Sequence, residues 1–287
     1  MGTIRTGMAG WVFEPWRGAF YPKGHPQKDE LGYASRHVSA IEINATFRQN
    51  QAPKSFVKWA SETPENFVFS VKGPQFVTHI KRLNDVEAPL GNFFASGVLA
   101  LGKRLGPIVW QLPPTFKFDT GRLESFFSML PKTADEAVAL AGKNDGKVKG
   151  DPWLDAGGVG VVRHALEVRN ESFAVPEFLS VMRKHNIAHV IADTEDWPYL
   201  DVTADFVYGR LQGAPGADHY EPADIDRWAA RARAWADGRP LTDGPTIGPP
   251  ATATPRDVEL HFVSTDKVHA PANAVALMTK LGLVPPA

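Results

Sequence analysis

Short apolar runs recur along the chain, and most are followed by a longer stretch with apolar residues at three- and four-residue spacing. Eight runs have the length and alternation of strands: Thr6–Trp11, Ala40–Asn44, Phe67–Lys72, Ile108–Leu112, Ala165–Arg169, Ala188–Asp193, Phe206–Gln212 and Val258–Ser264. Helical spacing predicts helices over Leu90–Leu105, Asp119–Leu130, Ala134–Lys143, Val175–Asn186, Ala223–Gly238 and Pro271–Leu281. Strands alternating with helices imply parallel pairing through crossovers. At 287 residues this pattern fits a (β/α)8 TIM-barrel-like fold of the α/β class. An open doubly wound sheet competes, but no Gly-x-Gly-x-x-Gly follows the first strand. Residues 132–160 read as a helix-plus-loop insertion and residues 239–256 as a Pro-rich irregular loop. Thr194–Asp205 carries no clear helix.

Helices cover the outside of a barrel, so the outward face of each strand is apolar. In Ala40–Asn44 that face is Ile41 and Ile43, leaving Glu42 and Asn44 inward. The same test turns Lys72, Gln111, Arg210 and Gln212 inward, with Asp193 at the end of the sixth run. In the stretch HALEVRN, Glu167 and Arg169 share a face about 7 Å apart. Polar residues thus gather near strand C-termini, where barrel active sites sit. Three carboxylates, Glu42, Glu167 and Asp193, accompany three cations, Lys72, Arg169 and Arg210. An internal ion-pair lattice explains part of this, since buried charges need partners. Arginine forks also suit a carboxylate or phosphate ligand, and Lys72 with Glu167 or Asp193 has the chemistry for proton transfer. His79 follows the third strand as a candidate acid/base or a loop hydrogen-bonder. Trp11, Phe13, Trp16, Phe20 and Tyr21 cluster after the first strand, with Trp11 the candidate for stacking on a ligand.

A hydrophobic content of 43% with 22% charged residues fits a globular chain with a sizeable core. The net charge of −1 disfavours a large nucleic-acid footprint. With no cysteine, thiolate catalysis, disulfides and cysteine-ligated zinc are excluded. Neither a membrane-length apolar run nor a signal-peptide core is visible, so a cytoplasmic location without membrane attachment is expected.

Seven motifs, in order, resemble the YecE-like family, also called domain of unknown function 72. They are GWVFEPWRGAFYP, IEINATF, TPENFVFSVKGPQFVTHIKRL, LGPIVWQLPPTF, LEVRNESF, FVYGRLQG and APANAVAL. The resemblance covers nearly the whole chain and implies one TIM-barrel-like domain over residues 1–287. It supplies no reaction. The polar positions of the family's motifs map onto Glu42, Asn44, Lys72, Thr78, His79, Gln111, Glu167, Arg169, Asp193 and Arg210. Departures are Ala9 for a serine, Phe47-Arg48 for an aromatic pair, Asn170 and Gln212 for two histidines, and Val263-Ser264-Thr265-Asp266 for an Asn-containing turn. Amides hydrogen-bond a ligand but do not shuttle protons near neutral pH.

The leading expectation is binding or turnover of a small anionic ligand at the C-terminal mouth, by hydrolysis or isomerisation if a reaction occurs. Lys72, Glu167, Asp193 and His79 are the candidates for chemistry. Glu42, Asn44, Gln111, Arg169, Arg210, Gln212 and Trp11 are the candidates for ligand contact. No cofactor is required, and a divalent metal is compatible with the carboxylates. Metal-assisted nucleic-acid binding or phosphodiester hydrolysis, and a catalytically silent interaction barrel, are the alternatives. Nothing in the sequence sets the oligomeric state.

Overall fold

The computed structural model describes residues 1–213, 219–263 and 267–285. The turn after Val263 and the end of the predicted run Val258–Ser264 lie outside the described residues. Eight parallel strands follow one another in chain order around a closed barrel. They are β1 (Ile4–Ala9), β2 (Ala40–Ile43), β3 (Val68–Lys72), β4 (Leu105–Gln111), β5 (His164–Glu167), β6 (Ala188–Ala192), β7 (Phe206–Leu211) and β8 (Asp257–Phe262). The (β/α)8 expectation holds, and all eight predicted strands are present with ends shifted by at most three residues. β2, β3, β6 and β7 are buried on both faces along their whole length.

The helices are α1 (Glu30–Ala34), α2 (Ala45–Arg48), α3 (Pro53–Ser61), α4 (Glu87–Ala95), α5 (Thr120–Met129), α6 (Ala134–Ala141), α7 (Pro176–His185), α8 (Pro222–Ala236) and α9 (Ala270–Leu281). Their ends follow local chemistry. Asp119 accepts the Arg122 N–H to cap α5, and Thr133 with Glu136 forms a capping box on α6. Proline opens α7 and α8, and left-handed Asn186 closes α7. The single helix predicted over Leu90–Leu105 is instead two elements. Gly97, at φ 104°, ends α4; there a Cβ would sit 2.5 Å from Pro53 Cα. A 3-10 stretch follows over Val98–Arg104, broken at Gly102, and Leu105 already belongs to β4.

The chain divides into two compact units. One, residues 1–42 with 174–287, holds the β6–β7–β8–β1–β2 ladder and α1, α7, α8 and α9. The other, residues 43–173, holds the β3–β4–β5 ladder and α2 to α6. Each unit has its own buried aromatic packing. Phe93, Trp110 and Phe126 pack edge-to-face in 43–173, and Trp228 lies near Trp235 in the other.

Two buried histidines tie connections to strands. In 43–173, the Trp110 indole donates to His164 Nδ1 at 3.2 Å, and His164 Nε2–H donates to the Pro131 carbonyl at 2.7 Å. In the other unit, Trp197 donates to His189 Nε2 at 2.5 Å, and His189 Nδ1–H donates to the Asp201 carbonyl at 3.2 Å. The two imidazoles are therefore held in opposite neutral tautomers. Burial pushes the His164 pKa down to about 4 and holds His189 below its ordinary value.

Candidate functional site

In 43–173, three strand ends carry the polar side chains. Lys72 closes β3, and its carbonyl accepts from Thr46 Oγ1 at 2.6 Å. Its ammonium lies 4.3 Å from the Phe47 ring centroid. Phe47 in turn meets His79 edge-on, with centroids 5.2 Å apart. Asn44 precedes α2 half-buried, and its side chain caps no backbone N–H of that helix.

Gln111 and Glu167 are register partners on β4 and β5. Gln111 Nε2 donates to Glu167 Oε1 at 2.7 Å. Arg169 lies two residues beyond β5 and turns back, so that Nε and Nη2 reach the same oxygen at 2.7 and 2.6 Å. Glu167 is almost wholly buried, whereas the Arg169 side chain stays 40% exposed. The carboxylate thus orients a guanidinium whose outer part meets solvent. Asn170, which departs from the histidine that the resemblance implies there, is a loop staple. Its Nδ2 donates to the Pro114 carbonyl, and its Oδ1 accepts the Ser172 N–H.

His79 sits in a single π-helical turn, Phe76–Ile80, with Nδ1 2.8 Å from Thr78 Oγ1. Such turns are rare and concentrate at functional sites. The segment that follows is strained: Arg82, Leu83 and Asp85 all have φ between 48° and 67°. Its Arg82 fork clamps the Thr115 hydroxyl and carbonyl. Burial lowers the His79 pKa, and the charges of Lys72, Arg169 and Arg82 lower it further. The imidazole is consequently neutral at neutral pH.

The other unit arranges its group differently. Arg210 forks onto Glu42, Nε to Oε2 at 3.0 Å and Nη2 to Oε1 at 3.1 Å, and Tyr208 donates to Oε2 at 2.9 Å. Arg210 and Glu42 are both buried. Asp193 clamps the segment after β7: Oδ1 accepts the Gln212 and Gly213 N–H groups, and Oδ2 accepts Tyr220 Oη–H at 2.5 Å. Burial and then the Asp193 charge hold the Tyr220 hydroxyl protonated, far above the ordinary phenol range. Gln212 is half-buried, and its backbone provides this contact. Trp11 is half-buried and accepts Tyr21 Oη–H at its carbonyl, while Trp16 and Tyr21 are packed in the interior.

Glu259 and His261 on β8 escaped the strand-face assignment. His261 Nε2 lies 3.5 Å from Glu259 Oε2, and its ring stacks on Tyr208 at 5.0 Å. The signal was there: in Val258–Phe262 polar residues alternate with apolar ones as they do in Ala40–Asn44. Arg82 had no comparable signal, because its placement follows from the strained backbone. Among the described residues, no three His, Asp or Glu side chains group as metal ligands. No described helix is long and apolar enough to cross a membrane.

A family model described as "Protein of unknown function DUF72" matches residues 5–286. The chain belongs to the DUF72 family. Two curated relatives show similarity to this DUF72 chain over shorter stretches. It is 31% identical over 118 residues to the UPF0759 protein YunF of Bacillus subtilis strain 168, covering 39% of this chain and 41% of that one. It is 30% identical over 97 residues to the UPF0759 protein YecE of Escherichia coli K12, covering 32% and 35%. The matched stretch therefore spans less than half of either relative. Solved DUF72 structures share the fold along the full length. One, from Thermotoga maritima, gives a TM-score of 0.72 at 20% identity, covering 98% of this chain and 99% of that chain. Another, from Enterococcus faecalis, gives 0.67 at 17% identity, covering 99% of each.

Proposed function

We propose that this DUF72 protein binds a small phosphate- or carboxylate-bearing metabolite at the C-terminal ends of β3 and β5. The observation that carries the reading is the half-exposed Arg169 fork held on buried Glu167, with Lys72 and His79 both packed on Phe47 in the same unit. Arg169, oriented by Glu167 and still partly exposed, supplies the fork that suits an oxyanion. Gln111 fixes the carboxylate that fixes the arginine. The strained segment 82–85 supports the same reading, since such backbone persists where it positions function.

His79 gives this site its chemistry. If Thr78 donates to Nδ1, then Nε2–H is a donor toward the anion. If Nδ1–H donates to Thr78, then Nε2 is a base in the neutral form. Either way, an anion beside Lys72 and Arg169 offsets the cationic charges that add to burial in lowering the His79 pKa. Ligand binding then favours a proton on His79. Hydrolysis or isomerisation of the bound metabolite, with His79 moving the proton, is the reaction class consistent with this arrangement.

A thermal-shift screen of phosphorylated sugars, nucleotides and carboxylates tests the binding. At a hundredfold excess over Kd, a ligand of the site should raise the melting temperature by roughly 4–5 °C. Arg169→Ala should abolish most of that shift, measured from the variant's own unliganded baseline. A hit that shifts wild type and Arg169→Ala equally places its ligand elsewhere.

A further inference from the structure

A second cluster of arginines lies at the N-terminal ends of β7 and β8. The connection from α8 to β8 folds over the segment entering β7 and encloses about 50 Å³. That is room for roughly three or four water molecules, or one phosphate-sized group. Arg183, Arg239 and Arg256 stand in its wall with Trp235, Leu200 and Pro240.

The walls are stitched in place. Asp201 accepts the Ile247 and Gly248 N–H groups through its two oxygens, and the Leu200 N–H donates to the Pro245 carbonyl. The Arg256 guanidinium donates to the carbonyls of Ala204, Thr254 and Thr252. Arg183 donates through Nη2 to the Pro249 carbonyl at 2.9 Å and, more weakly, to the Val202 carbonyl at 3.5 Å. These bonds explain how the loop is held; Asp201, which also lines the cavity, spends both carboxylate oxygens on backbone N–H groups and not on an arginine. Among the described residues, neither Arg183 nor Arg256 forms an ion pair, and Arg183 Nε is buried without an acceptor. Burial lowers the Arg256 pKa; Asp205 opposes this, and the like charge of Arg183 lowers it further. Two neighbouring guanidiniums sharing a small walled cavity, one with an unanswered N–H, lack an oxyanion.

We propose that the cavity between the end of α7 and the 238–256 connection is a phosphate-binding site anchored by Arg183. Its ligand is inorganic phosphate or the phosphate group of a larger molecule whose body reaches solvent past the exposed Arg239. The site is independent of the one at the ends of β3 and β5.

The test titrates inorganic phosphate into Arg169→Ala protein at low salt, by calorimetry or phosphorus NMR. That background removes the fork of the other site. Saturable one-site binding is expected. Adding Arg183→Gln should weaken it by at least about tenfold. Adding Ala251→Phe should block it by filling the cavity while leaving every arginine in place. The second substitution keeps the test decisive if loss of Arg183 loosens the loop. Absence of saturable binding to Arg169→Ala protein overturns the proposal, as does binding that survives Ala251→Phe unchanged. Neither result bears on the anion site at Lys72 and Arg169.

Discussion

Arg210→Met should lower the melting temperature by roughly 5–8 °C. The substitution leaves the buried Glu42 carboxylate without the bidentate guanidinium that its two oxygens accept. Tyr208 still donates a hydrogen bond to Oε2, but a neutral phenol does not replace a bidentate guanidinium. Breaking a buried pair from one side costs roughly 3–5 kcal/mol, because the remaining ion stays desolvated. At about 1.7 °C per kcal/mol for a chain of this size, a shift of roughly 5–8 °C follows. Replacing both partners, Glu42→Met with Arg210→Met, should recover a large part of the loss, since the carboxylate leaves together with the guanidinium that binds it. Thermal melts of the two single variants and the double variant measure this. A double variant no more stable than the worse single one contradicts the pairing. Arg210→Ala is therefore a poor control for ligand binding, and Arg169→Ala is the informative one.

Stability should fall by roughly 3–4 kcal/mol in all as the pH drops from above 6.5 to below 4 through His164 alone, the 2.5-unit gap times about 1.4 kcal/mol per unit. The unfolded imidazole takes a proton near pH 6.5, whereas the folded one takes it only near 4. Between those values the unfolded state binds more protons, so acid favours unfolding; below the folded pKa the contribution is exhausted. The physical cause is burial, reinforced by geometry: Nδ1 accepts from Trp110 and cannot hold a proton of its own there. His189 acts in the same direction, because Trp197 donates to its Nε2. Urea unfolding at pH 7.5, 6 and 4.5 reports the loss. Titrating ring protons of His164 and His189 by NMR assigns it. Imidazoles that titrate near 6.5 in the folded protein contradict both relays.

Alternation along the strands made the barrel legible, because a strand's period of two survives even where both faces are buried. What sequence reading lost were the elements too short for a period. α1 and α2 span only five and four residues. The helix read over Leu90–Leu105 failed for a backbone reason, since Gly97 and Gly102 break it while the apolar spacing continues. Glu167 and Arg169 were legible as a pair, and the structure joins them. Which carboxylate takes which arginine was not legible for Glu42 and Arg210, since 168 residues of sequence separate them. Nor could spacing distinguish a side chain facing a ligand from one holding a loop. Asp193 spends both oxygens on the segment after β7 and on Tyr220, and Asn170 bridges Pro114 and Ser172.

The central claim is that an anion sits against Lys72 and Arg169, beside His79. NMR titration of the His79 ring protons, with and without a ligand found in the screen, tests it most directly. In the free protein His79 should titrate below its ordinary value, held down by burial and three neighbouring cations. With ligand bound, its pKa should rise, because the anion offsets those charges. A His79 titration unmoved at saturating ligand would show that the anion binds elsewhere.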